Sequence, residues 1–176
     1  MQSSHGFSLI EMLAAIAMFA LLTGLAVPTF RSLRQDAERT REVNQFVQAI
    51  HFARGEAMKR NSTISLCPSG DSETCSTAGS RWDGGWIVFA NTDGDTPAVR
   101  DPGETLLIAY PAWTSGRIVA NRSTLTFRPF GQSGVTATFT YCDARGSAAA
   151  RAVIISQSGR PRVSSRSASD TALDCS

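Results

Sequence analysis

Lysine is nearly absent: of 17 basic residues, only Lys59 is not arginine. It lies outside any glycine-rich loop, which excludes a P-loop for phosphates. Histidine is scarce too. His5 lies in a short polar stretch at the N-terminus and His51 beside an apolar stripe, so there is no H-E-x-x-H pair and no histidine set for a metal or a triad. The four cysteines show no C-x-x-C spacing and have no histidine companion, which argues against a zinc site. Ser156-Gln157-Ser158-Gly159 lacks the first glycine of a nucleophile elbow. No enzyme constellation and no cofactor motif remain, so a protein without catalysis, cofactor or metal is expected. With 42% hydrophobic and 18% charged residues, the composition also excludes wholesale disorder.

What is present is unevenly spread. The net charge is only +2. Between Cys67 and Glu104, seven acids face two arginines, a balance of −5; between Arg117 and Arg166, eight arginines face Asp143 alone, a balance of +7. Asn91, Asp93, Asp95, Asp101 and Glu104 make an acidic loop whose oxygens have the chemistry for Ca²⁺, although turn formation alone favours the same residues. Cys67, Cys75, Cys142 and Cys175 allow three pairings. Joining sequence neighbours gives Cys67–Cys75 and Cys142–Cys175, closures worth about 2.5 and about 3.8 kcal/mol in the loop-entropy model.

Residues 7–30, FSLIEMLAAIAMFALLTGLAVPTF, are apolar except for Ser8, Glu11, Thr23 and Thr29, and are long enough to cross a bilayer as a helix. A carboxylate in such a span costs about 3 kcal/mol at the centre and less near an end. Glu11 therefore needs a partner or the headgroup region. Cleavage after Gly6 creates an ammonium at Phe7, one helical turn away, on this or a neighbouring chain. Arg31 and Arg34 follow the span and nothing basic precedes it, so local charge alone favours the opposite orientation.

Gly6-Phe7-Ser8-Leu9-Ile10-Glu11 resembles the prepilin-peptidase site of type IV pilins and type II secretion pseudopilins. The resemblance implies a leader, 1–6, removed after Gly6; methylation of Phe7; and a Glu11 that guides assembly. It places Pro28 at the family's helix kink. It also implies a prepilin peptidase as partner and a single-pass inner-membrane protein. Its remaining domain faces the periplasm and, once packed with other pilins into a filament, reaches the pilus or cell surface.

Residues 31–60 continue the helix, with Val43, Phe46, Val47, Ile50, Ala53 and Ala57 forming one apolar stripe. Arg39, Arg41, Glu42, Gln45 and Gln48 lie mostly elsewhere, and Glu56 pairs with Arg60 at i,i+4. From 61 to 176 the pattern becomes short β-like runs between turns: 63–67, 85–90, 105–110, 117–120, 124–130, 135–141, 152–156 and 161–164. The expected class is α+β, a long N-terminal helix packed on an antiparallel β-sheet domain. Ser164–Ser169 is loose unless Cys175 pins the chain end. Ala53-Arg54-Gly55-Glu56-Ala57, Leu66-Cys67-Pro68, Trp82 to Phe89, Phe127-Arg128-Pro129-Phe130-Gly131, Cys142-Asp143 and Ile155 to Arg160 together resemble the FimT/GspH group of minor pilins and pseudopilins.

Within the basic half, Gly159-Arg160-Pro161-Arg162 resembles the Gly-Arg-x-Arg motif of FimT-type pilins that bind DNA in natural transformation. In an extended segment Arg160 and Arg162 point to one side, about 7 Å apart, a spacing that suits successive phosphates. Arg145, Arg151 and Arg166 are expected to widen the patch. The resemblance implies non-specific DNA binding for uptake. A structural minor pilin that primes assembly and a GspH-type secretion pseudopilin are the alternatives.

Overall fold

The computed structural model describes residue 6 and residues 8–76, 81–130 and 136–176, with the backbone alone for 25–28. Phe7, the ring of Pro28 and the 131–134 turn lie outside what is described. Two compact units divide the chain, Met1–Ala37 and Glu38–Ser176.

One helix, α1 (Leu9–Arg60), starts in the first unit and ends in the second. Its start is a capping box: the Ser8 amide donates to Glu11 Oε2 at 3.0 Å, and the Glu11 amide to Ser8 Oγ at 3.3 Å. In the apolar stretch the Thr23 hydroxyl is satisfied within the helix by the Phe19 and Ala20 carbonyls, at 2.9 and 3.0 Å. Leu9, Ile10, Ile16, Met18, Phe19, Leu21 and Leu22 are all exposed, and this stretch makes α1 long and apolar enough to cross a membrane. The helix closes on Asn61 in the left-handed region (φ 50°), with Ser62 N donating to Ala57 O and Asn61 N to Met58 O. That pair of bonds is a Schellman motif.

In the second unit the apolar stripe is buried: Val43, Phe46, Ala49, Ile50, Ala53 and Ala57 all lose nearly all contact with solvent. Glu56 pairs with Arg60 and Lys59 as the spacing requires. Arg39 departs from the expected outward face. It is 4% exposed and donates to Asp143 Oδ2 at 3.2 Å, a carboxylate that also receives Arg145 at 2.6 Å.

Among the described residues eight strands follow: β1 (Ile64–Pro68), β2 (Trp86–Ala90), β3 (Leu106–Tyr110), β4 (Gly116–Ala120), β5 (Leu125–Phe127), β6 (Ala137–Asp143), β7 (Arg151–Ile155) and β8 (Pro161–Ser164). They form two four-stranded antiparallel sheets, β3-β2-β1-β5 and β4-β6-β7-β8, rather than one. The chain leaves the first sheet after β3, enters the second with β4, returns so that β5 pairs with β1, and goes back with β6. Phe46 explains how one stripe serves both sheets. Its ring meets Trp86 of the first sheet at 5.2 Å, and Phe139 and Tyr141 of the second at 4.5 and 6.1 Å. Trp82 packs edge-on against both Phe46 and Phe139.

Both outer faces carry a second apolar layer. Cys67, Ile87, Phe89 and Ala98 cluster on one, with Cys75 beside them. On the other, Leu173 is buried against Cys142, Ala150, Ala152 and Ile154. The disulfides are Cys67–Cys75 and Cys142–Cys175. Gly85 shows why the Gly84-Gly85 turn needs glycine: at φ 105° a Cβ would come 2.7 Å from the Ser69 carbonyl oxygen.

Candidate nucleic-acid interface

The Gly-Arg-Pro-Arg segment forms the turn and first residues of the β7–β8 hairpin. Ser156 N donates to Arg160 O at 3.1 Å, and Gly159 N to Ser156 O at 2.8 Å. Gly159 has φ 73°, the left-handed conformation that this turn needs and that other residues rarely adopt. Pro161 opens an edge strand, where its missing amide costs no ladder bond. Arg162 lies opposite Ile154 in the register and shares its face of the sheet, the face that Leu173 covers. Arg160 and Arg162 are exposed, and neither forms an ion pair among the described residues.

The other arginines of the expected patch differ. Arg166 is exposed and bonds the Asp170 carbonyl at 2.8 Å, with the Asp170 carboxylate 3.7 Å away. Arg145 is held bidentate on Asp143, through Nε at 3.1 Å and Nη2 at 2.6 Å. Those bonds hold the Asp143 carboxyl below its usual range, against the opposing effect of burial. Arg151 donates to the Ala150 carbonyl at 2.8 Å. Three of the five are therefore engaged within the fold, and the two open cations, Arg160 and Arg162, sit together at the hairpin.

The chain end is tied down rather than loose. Cys175 is bonded to Cys142, its carbonyl accepts from Arg117 at 2.6 Å, and the Ser167 hydroxyl bonds Thr171 at 2.7 Å. The acidic loop spends its carboxylates on its own backbone. Glu104, 5% exposed, accepts from the Thr92 and Asp101 amides at 2.6 and 3.1 Å, and Asp95 accepts from Asn91 Nδ2 and the Val99 amide. Burial, then the charges of Asp93, Glu104 and Asp95, pushes the Asp101 carboxyl upward. Among the described residues no His, Cys, Asp or Glu group gathers as a metal site.

Three features have little or no sequence signal: the buried Arg39–Asp143 pair, the exposed ring of Phe130, and a groove beside β5 flanked by Arg122 and Arg128. Asp143 is the one acid in the basic run, and that was the available hint for the first.

Comparison with known proteins agrees with this architecture. Residues 42–159 match the family model described as Type II transport protein GspH, and residues 1–27 match the prokaryotic N-terminal methylation motif. Two crystal structures of the type IV minor pilin FimU of Pseudomonas aeruginosa share the fold at 20% identity. One has a TM-score of 0.55 over 84% of this chain and 99% of that one; the other has 0.54 over 76% and 96%. No curated protein matches the sequence. The apolar helix and the methylation motif fit an inner-membrane-anchored pilin. With its family model spanning more than half of the residues and a pilin fold beneath it, the chain belongs to the GspH family of type IV pilin-like proteins.

Proposed function

We propose that the protein is a minor pilin, cleaved after Gly6, methylated at Phe7 and packed with other pilins into a type IV filament, where it binds DNA without sequence preference for uptake. The observation that carries the DNA role is the hairpin. Arg160 and Arg162 are exposed beside a glycine-dependent turn, and no carboxylate among the described residues neutralises them. Guanidinium groups bond phosphate oxygens bidentately; Arg166, held by Asp170, adds to the local field. Arg145 and Arg151 contribute to the local field rather than to direct contact, because both are engaged in the fold. Glu11 guides assembly by pairing with the terminal ammonium of a neighbouring chain, and the domain faces the periplasm before it reaches the cell surface. The prepilin peptidase and the inner membrane are the partners before assembly.

Phosphate-dominated binding of this kind has dissociation constants on the order of 1–100 µM at physiological salt and weakens steeply as salt rises. Many copies in a filament strengthen it by avidity. The test is the double substitution Arg160→Gln, Arg162→Gln in the full chain in detergent. Retardation of unrelated duplexes should disappear equally, with melting unchanged; in cells, DNA uptake should stop while pili still assemble. Lysine replacements should restore only part of the binding, since charge returns without the bidentate fork. Wild-type affinity in the glutamine variant at low salt would remove the DNA role. The family model's own description favours a second reading, a pseudopilin of type II secretion, which predicts that deletion blocks secretion and spares uptake.

A further inference from the structure

A groove of about 440 Å³ opens beside β5. Arg122 and Arg128 line it together with Thr63, Thr96, Thr124 and Thr126, and among the described residues no carboxylate does. The groove is built on buried anchors. The Trp82 indole, 1% exposed, donates to the Arg122 carbonyl at 2.9 Å and fixes the backbone there. Arg122 Nε donates to the Thr136 carbonyl at 3.3 Å. Below, buried Asn91 donates to Ser65 Oγ at 3.1 Å, and Ser65 Oγ bonds Thr126 Oγ1 at 2.9 Å. Asp95, between the lining residues Gly94 and Thr96, has its carboxylate on Asn91 Nδ2 and the Val99 amide. Among the described residues neither Arg122 nor Arg128 forms an ion pair. Two residues after Arg128, Phe130 is 87% exposed; among the described residues of this unit the other exposed large apolar side chains, Phe52, Met58, Val99 and Val163, reach at most 53%.

Two guanidinium groups and a row of hydroxyls without a carboxylate match a sugar–phosphate backbone, which offers charged oxygens and hydrogen-bonding sugar atoms. Phe130, two residues along the chain from the lining Arg128, offers a solvent-facing ring, which matches a base whose π-face is open only in an unpaired strand. We propose that this groove takes a stretch of single-stranded DNA, with Phe130 stacking one base. The inference deepens the DNA-contact reading and shares none of its residues.

The test uses the full chain in detergent with a fluorescently labelled dT12 and a labelled duplex of unrelated sequence, read by anisotropy at low salt. Tryptophan fluorescence melting confirms that each variant is folded. Arg122→Gln with Arg128→Gln should weaken dT12 binding at least tenfold and duplex binding less than threefold. Phe130→Ala should weaken dT12 about fivefold to a hundredfold, the range for one lost stack. Unchanged dT12 affinity in both variants overturns the proposal. So does a tenfold loss on Arg122→Gln/Arg128→Gln with no effect of Phe130→Ala, which marks a general anion surface. Loss of dT12 binding confined to Arg160→Gln/Arg162→Gln also overturns it, while leaving the hairpin reading intact. The reverse pattern, dT12 lost with Arg122 and Arg128 and nothing lost with Arg160 and Arg162, supports the groove and removes the hairpin.

Discussion

Replacing Asp143 with asparagine tests how α1 is held to the second sheet. The carboxylate receives Arg39 at 3.2 Å and Arg145 at 2.6 Å. The side chains of Arg39 and Asp143 are only 5% and 4% exposed, whereas Arg145 is 27% exposed. Removing one partner of a buried pair costs about 3–5 kcal/mol, because the remaining charge stays desolvated. The amide oxygen of asparagine still accepts one hydrogen bond, so the lower end, about 3 kcal/mol, is expected. For a unit of this size that is a fall of roughly 6–12 °C in melting temperature. Trp82, Trp86 and Trp113 are all buried in the second unit, so their fluorescence in the detergent-solubilised full chain reports its unfolding.

The pH dependence gives a control. The Asp143 carboxyl is held below its usual range in the fold, so its stabilisation is complete above the unfolded value, near 3.9, and is lost as pH falls through the folded value. The melting curves of wild type and Asp143→Asn should therefore lie far apart at pH 7 and converge in acid. Arg39→Met with Asp143→Leu should cost less than Asp143→Asn alone, since the partly exposed Arg145 turns to water and no buried charge is stranded. Equal melting of wild type and Asp143→Asn at pH 7, within about 0.5 kcal/mol, would refute the reasoning, as would a gap that persists unchanged at pH 2.

Mass spectrometry of assembled material should find a mature N-terminus at N-methyl-Phe7; chains in filaments that keep Met1 to Gly6 would contradict this. Glu11→Ala should still be processed yet assemble poorly. It also removes the Glu11 half of the capping box, a feature worth about 0.3–1.5 kcal/mol, so Glu11→Gln, which keeps an acceptor for the Ser8 amide, should reproduce the assembly defect if charge pairing is the cause. Non-reducing peptide mapping should recover Cys67–Cys75 and Cys142–Cys175. Cys175→Ser should free the chain end, expose Leu173 and Ile154 to faster hydrogen exchange, and weaken DNA binding, because Arg162 shares the face that the chain end covers; wild-type exchange at Ile154 would show that the strap holds without its bond.

Much of the fold is legible in the sequence because turn chemistry punctuates it. β1, β2, β3, β6 and β7 are set off by Pro68-Ser-Gly, Asp83-Gly-Gly, Asp93-Gly-Asp, Asp101-Pro-Gly and Asp143 to Gly146. The pairing of strands does not follow from such local signals. β5 pairs with β1, more than fifty residues earlier, and nothing in Leu125-Thr126-Phe127 distinguishes that partner from β4 or β6. Phe46 reads as one more apolar position at helical spacing, and only the packed structure shows it meeting both sheets.

The candidate site is less legible, and the reason is electrostatic. A charge count gives every arginine of 117–166 equal weight, but folding sorts them. The fold commits Arg145 to Asp143, Arg166 to Asp170, Arg151 to a carbonyl and Arg117 to the Cys175 carbonyl; it leaves Arg160 and Arg162 open at one hairpin, and at one groove Arg128 together with Arg122, which is held through Nε by the Thr136 carbonyl and has no acid partner among the described residues. The sorting depends on which acceptors the chain brings near each guanidinium. Asp143 illustrates it: as the one acid in that stretch it lowers the net count by one, yet it draws in two cations, including Arg39 from the helix. What remains, among the described residues, is two separate pairs of cations without an acid partner rather than one broad basic face. A pair has enough donors for a short run of phosphates and too few to hold DNA tightly by itself, so the proposed DNA role requires many copies in a filament to turn such contacts into capture.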